Sequence, residues 1–245
     1  MKRNCRTKVS AVLLVILSAF MMVDAQHRAT PEALDSKITV DLEKQPLGMI
    51  FRKLIYDYKI PIGFEESTLD SDHNDFFFEV NPPIGQVHPS FGVKQKWITI
   101  KVKEASLSDV LATLVVQLGN YRWEIDGGVV NIIPSKGRDV RYQQLLDSRI
   151  REFTFEQGMP VGMLREQVRA IPEIKAFLRS TNLNMSDLRN PYGDPSRPVS
   201  EDITEANVTL KELLNSIVRR KGGGWFIRSN KTVNPKGKEF LELEL

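Results

Sequence analysis

The chain carries a single cysteine, Cys5, and three histidines, His27, His73 and His88. A lone cysteine so close to the N-terminus leaves the rest of the sequence with no disulfide, no thiol nucleophile and no thiolate metal site. The histidines fall in polar or proline-containing stretches, with no spacing that sets two on one helix face, which argues against a zinc centre. Long apolar runs are also scarce. The one present, Val9 to Val23, is short for a spanning helix and ends in Asp24.

That run is flanked by Lys2, Arg3, Arg6 and Lys8 on one side and by small residues on the other, with Val23 and Ala25 fitting the rule for an export signal cut after Ala25. Residues 1–25 are therefore expected to be a signal peptide, and the protein to be periplasmic or outer-membrane associated. Cys5 is not at the cut, which argues against a lipid anchor. The signal holds four of the 34 basic residues and one of the 31 acidic ones, so the remainder has 30 of each. The basic pI comes from the export signal and gives no reason to expect nucleic acid as a partner. The Arg219, Arg220, Lys221 cluster reads as the solvated end of a helix.

From Ile38 the pattern becomes regular. Ile38, Val40 and Leu42 alternate as a strand, and after Gln45 and Pro46 the residues Leu47, Ile50, Phe51, Leu54, Ile55 and Tyr58 recur at threes and fours as the buried stripe of a helix. Pro61 ends it, and Ile60, Ile62 and Phe64 alternate as a second strand. The same order returns sixty residues on: Ile98, Ile100 and Val102, then Leu107, Val110, Leu111, Leu114, Val115 and Leu118, with Ser108 as N-cap. At this offset ten of the fourteen apolar residues between Ile38 and Phe64 meet an apolar partner, against about six expected by chance. Tyr121, Trp123 and Ile125 then alternate, Asp126, Gly127 and Gly128 turn, and Val129 to Ile133 close a hairpin before Pro134.

The polar stretch from Ser135 to Ser148 reads as a linker, or a short connecting helix, rather than core. Beyond it Phe153 and Phe155 open a strand, and Pro160 to Met163 repeats Pro46 to Met49 almost unchanged, with Val161 in place of Leu47. Asn207 to Leu210 lead into a helix with Leu213, Leu214, Ile217 and Val218 inward, and the glycines 222–224 stop it. Trp225 and Ile227 take places like Trp123 and Ile125, and Phe240 to Leu245 is the last strand. The predicted fold class is α+β: two tandem small modules of repeated β-α-β units, each with two helices packed on small mixed sheets. The expected domains are 36–134 and a degenerate copy at 151–245, joined by a linker at 135–150. Both modules hold long irregular inserts, Glu65 to Lys96 and Pro172 to Ser200. Phe76, Phe77 and Phe78 in the first insert read either as a strand on the module's own sheet edge or as an aromatic surface for a partner protein, and are the candidate partner-binding residues.

The segment from Ile38 to Pro134 resembles the short N-terminal domain shared by secretins and TonB-dependent signal-transducing receptors. The resemblance rests on the Gln45, Pro46, Leu47 turn, the Ala105, Ser106, Leu107 turn and the Tyr121 to Pro134 hairpin around Asp126, Gly127 and Gly128. It implies a periplasmic domain, a compact sheet with two helices, that contacts other envelope proteins, outer-membrane channels or inner-membrane assembly components, with no enzyme activity. Two departures are visible: no series of barrel strands follows to Leu245, and the insert from Glu65 to Lys96 is longer than the family's usual connection.

Other chemistry is weakly supported by the residues. Asp70, Asp72 and Asn74 imitate the start of a calcium loop, but Asp75 and Asn81 stand where glycine and glutamate are required. The glycines 222–224 lack the lysine of a phosphate loop, and no serine lies in a nucleophile elbow. No catalytic, cofactor-binding or metal-ligating residues are therefore assigned, and no cofactor is expected. Trp123 and Trp225 read as core before they read as sugar platforms, while Trp97 precedes a strand with no assigned role. Two alternatives remain: a peptidoglycan- or glycan-binding periplasmic protein, or a hydrolase using carboxylates such as Glu65, Glu66, Asp70 or Asp72.

Overall fold

A computed structural model of the chain describes residues 37–70, 97–181, 183–185, 196–230 and 240–245. Strand β1 (Lys37–Gln45) leads into helix α1 (Leu47–Tyr56) and strand β2 (Ile62–Glu65). Next come β3 (Ile98–Ser106), α2 (Leu107–Leu118) and the hairpin β4 (Tyr121–Asp126) and β5 (Val129–Pro134). The hairpin turns through Gly127 and Gly128, both at positive φ, where a side chain would be strained. The stripes read from the periodicity are the buried faces: Leu47, Ile50, Phe51, Leu54 and Ile55 on α1, and Leu107, Val110, Leu111, Leu114 and Leu118 on α2. The cap of α2 differs from expectation. Ser106, not Ser108, takes the N-cap position, and its Oγ accepts from the Asp109 N–H at 3.1 Å, because Leu107 is already the first helical residue.

The second half continues with α3 (Val140–Leu146), β6 (Arg149–Phe155), α4 (Val161–Ala170), α5 (Pro172–Thr181) and the short β7 (Asn184–Met185). It ends with β8 (Ile203–Thr209), α6 (Leu210–Lys221), β9 (Gly224–Asn230) and β10 (Phe240–Glu244). The mixture of helices and small sheets is an α+β fold. Helix α6 starts in a full capping box: the Thr209 hydroxyl accepts from the Glu212 N–H at 3.2 Å, and the Glu212 carboxylate accepts from the Thr209 N–H at 2.6 Å. Thr209→Ala is expected to cost about 1 kcal/mol, read as a lower urea midpoint at unchanged m-value.

Three boundaries are corrected. Residues 135–150 are not only a linker: they contain α3, whose Tyr142, Leu145 and Leu146 are buried in the core. The stretch from Pro172 to Ser200 opens with helix α5, which buries Ile174, and contributes β7. Glu65 closes β2, so the first insert does not begin there. Phe76, Phe77 and Phe78, with the calcium-like positions 72–81, lie outside the described residues, as do residues 1–36.

Two antiparallel ribbons, β1 with β3 and β6 with β8, flank one six-stranded sheet of order β4-β5-β2-β9-β10-β7. The larger sheet is shared, where separate small sheets were expected. Within it β4 and β5 are antiparallel and β5 and β2 parallel, and the same scheme recurs as β9 with β10 and β10 with β7. The two triplets meet where β2 lies parallel to β9, so they run in opposite senses, related by a half turn about a line across the sheet. A half turn also exchanges faces. Ile62, Phe64, Val130, Ile132 and Phe226 pack with β1, β3, α1 and α2 in one core, while Val129, Trp225, Ile227, Leu243 and Leu245 pack with α3 to α6, β6 and β8 in the other.

Helix α6 ends at Gly222, in positive φ. The basic cluster at its end is not simply solvated. Arg219 donates to the Gly127 carbonyl at 3.3 Å and Arg220 to the Asp202 carbonyl at 2.8 Å and Glu205 at 3.1 Å. Burial, with Arg165 and Arg197 nearby, pushes the Lys221 ammonium down to about 8.

Candidate functional site

Strand β2 is covered on both faces, so its residues do not alternate between core and solvent: Ile62, Gly63, Phe64 and Glu65 are all buried. A Cβ on Gly63 would come within 2.4 Å of the Trp225 ring and of Asn131 Oδ1, so glycine here is the seat of the indole. Trp225 is fully buried, and its Nε1–H donates to Asn215 Oδ1 at 2.8 Å. Trp123 is half-buried against the opposite core. The two tryptophans, alike in sequence context, therefore serve opposite faces of the sheet. Trp97 is half exposed.

At the end of β2 lies a polar layer that joins residues Glu65 to Asp70 with Tyr121 and the segment from Lys136 to Arg138. Glu65 is fully buried and accepts from Arg138, whose Nε lies 2.9 Å from each carboxylate oxygen and whose guanidinium closes to 2.8 Å. The Ser67 N–H donates to the buried Tyr121 hydroxyl at 2.9 Å, Ser67 Oγ to the Lys136 carbonyl at 2.9 Å and the Thr68 N–H to the Gly137 carbonyl at 2.8 Å. Gly137 is at positive φ, and a Cβ there would meet Leu69 at 2.6 Å and Ser67 Oγ at 2.7 Å. Glu66 and Asp70 are buried too, and the Glu66 N–H donates to the Ile227 carbonyl at 2.9 Å.

Burial raises the Glu65 carboxyl above its ordinary range, with Arg138 opposing. Burial, then the charge of Asp70, raises the Tyr121 phenol well above its usual value. The bidentate geometry commits both Glu65 oxygens to Arg138, which makes Glu65 a tether for the chain leaving β2 and leaves it poorly placed to meet a substrate. Asp70 is buried beside Tyr121, and Asp72 is outside the described residues. Among the described residues no group of three or more His, Cys, Asp or Glu is placed to hold a metal.

Two features of the described surface could receive a ligand or partner. A cavity of about 700 Å³ lies between α4, α5 and β7, with Glu166, Arg169, Lys175 and Arg179 over Leu178 and Met185. Arg169 is held there by Glu166 at 3.5 Å and by the Met185 carbonyl at 3.2 Å. The second surface is the outer edge of β4, which has no strand partner among the described residues. Glu124 on that strand lies 2.8 Å from Arg122 and 2.7 Å from Lys211, and Lys211 is 3.2 Å from Asp126. Lys211 and Arg122 hold the Glu124 carboxyl below its ordinary value against the effect of burial.

No described helix is long and apolar enough to cross a membrane. No protein-family model, curated protein or solved structure matches this chain.

Proposed function

We propose that the protein is a non-enzymatic interaction module of the bacterial envelope, exported through a cleaved signal peptide and acting in the periplasm or at the outer membrane. In this reading its two halves are copies of one module, each resembling the N-terminal domain of secretins and TonB-dependent transducers, and it serves a secretion, uptake or signalling complex. Its partner is an outer-membrane channel or an inner-membrane assembly component.

The observation that carries the reading is the outer edge of β4, which has no strand partner among the described residues. A sheet edge offers a row of unsatisfied backbone donors and acceptors, which another chain satisfies by adding a strand. The non-enzymatic part is supported by the buried, bidentate Glu65–Arg138 pair, since one of the four carboxylates considered for a hydrolase is spent on structure. Phe76, Phe77 and Phe78, which lie outside the described residues, belong to this proposal as its partner-binding residues.

The test is replacement of residues 71–96 by a flexible linker. Cutting after Asp70 spares the polar layer, whereas a deletion from Glu65 would strand Arg138. The variant is expected to keep the parent urea midpoint and to lose most of its cross-linking to the envelope partner. Loss of the folded state, or unchanged cross-linking, would refute the role given to the insert.

A further inference from the structure

The partner reading leaves open whether the β4 edge also accepts a copy of the chain itself. We infer that two copies associate through their β4 strands, antiparallel about Trp123, extending the six-stranded sheet across a two-fold axis.

The strand Tyr121–Asp126 is self-complementary in one register. With Trp123 on the axis, Arg122 of each copy stands opposite Glu124 of the other, and Tyr121 stands opposite Ile125. Opposite charges, paired aromatics and an aromatic facing a β-branched side chain are all favourable cross-strand neighbours, and two-fold symmetry makes every flanking pair occur twice. Slipping the axis to Glu124 would set two carboxylates face to face. Centring it between the two residues would set Arg122 against Ile125. A one-residue slip also carries side chains to the wrong face.

The faces agree with this register. Tyr121, Trp123 and Ile125 belong to the core shared with α1 and α2, with Trp123 and Ile125 only partly covered. Arg122, Glu124 and Asp126 alternate to the other face, where Lys211 on α6 reaches both carboxylates. Arg122 and Lys211 balance Glu124 and Asp126, so two such edges meet without net repulsion. The side chains of Arg122 and Glu124 are 55% and 33% exposed, and so remain accessible to a second copy.

A second copy and an envelope partner would compete for the same β4 edge, and self-association is tested on the purified chain alone, so its failure leaves the partner reading standing. Sedimentation velocity on residues 26–245, which keep every described residue, is expected to show a monomer–dimer equilibrium at concentrations up to about 100 µM. Arg122→Glu alone and Glu124→Lys alone are each expected to weaken it about ten-fold or more by facing like charges across the axis. Mixing the two variants is expected to restore it as a heterodimer, because each then brings the charge that the other lacks. Trp123→Lys, which puts two like charges on the axis, is the second probe should Glu124→Lys fail to fold beside Lys211. A monomer throughout would overturn the inference, as would a dimer indifferent to Arg122→Glu and Trp123→Lys. So would a dimer seen only after residues 71–96 are removed, since a segment of the same chain would then hold the edge.

Discussion

Replacing Trp225 by alanine is expected to destabilise the protein by about 3–5 kcal/mol, the range for removing a large buried aromatic. The indole is fully buried and lies over Gly63, so its loss opens a cavity where β2 meets β9. Its Nε1–H holds Asn215 on α6, and the Asn215 amide in turn donates to the Asp126 carbonyl at 3.2 Å. One side chain thus ties helix, junction and hairpin together. Trp225→Phe keeps part of the volume but leaves Asn215 Oδ1 unpaired, and is expected to cost about 1–3 kcal/mol. Because the sheet is continuous across the junction, urea unfolding followed by fluorescence and by circular dichroism is expected to give one coincident transition in the parent and in both variants. Two separated transitions would contradict a shared sheet.

Arg138→Met is expected to cost about 3–5 kcal/mol at neutral pH, because it leaves the Glu65 carboxylate buried and uncompensated. The pH dependence has a definite sign. Burial already raises the folded Glu65 carboxyl above its ordinary range, with Arg138 opposing, and removing Arg138 enlarges the elevation. A carboxyl raised in the folded state contributes stability fully below its unfolded pKa and loses it as pH rises through the folded one. The deficit of the variant is therefore expected to shrink as pH is lowered from 7 towards the unfolded value of about 4.3. Adding Glu65→Gln to Arg138→Met removes the charge and is expected to flatten that dependence and recover much of the lost stability. Denaturant titrations at a series of pH values check both; a deficit that grows towards acid would contradict the assignment of the buried charge to Glu65.

The elements legible in the sequence were those whose signal is local. The stripes of α1, α2 and α6 show in spacing alone, and Gly127, Gly128 and Gly222 mark real turns because each takes a positive φ. Helix α3 fits the short connecting helix that the polar stretch allowed, but its place in the core did not show, since its seven residues bury only Tyr142, Leu145 and Leu146. Helix α5 fully buries only Ile174, too weak a stripe to read. What escaped altogether was long-range. Glu65 and Arg138 are 73 residues apart, and nothing near either names the other, although a glutamate closing the otherwise apolar run Ile62 to Phe64 was a hint that a cation would have to meet it. The similar contexts of Trp123 and Trp225 suggested equivalent places. Local pattern carries no information on which face of a shared sheet a strand presents, and the half turn between the triplets sends them to opposite cores.

The claim that most needs testing is that the protein works by binding another envelope protein. The direct measurement is to tag the chain, express it in its native envelope, cross-link and identify what is captured. Recovery of an outer-membrane channel or an inner-membrane assembly component is expected, diminished when residues 71–96 are replaced. Recovery of glycan fragments alone, with no protein above background, would contradict the interaction reading and favour a wall-binding one.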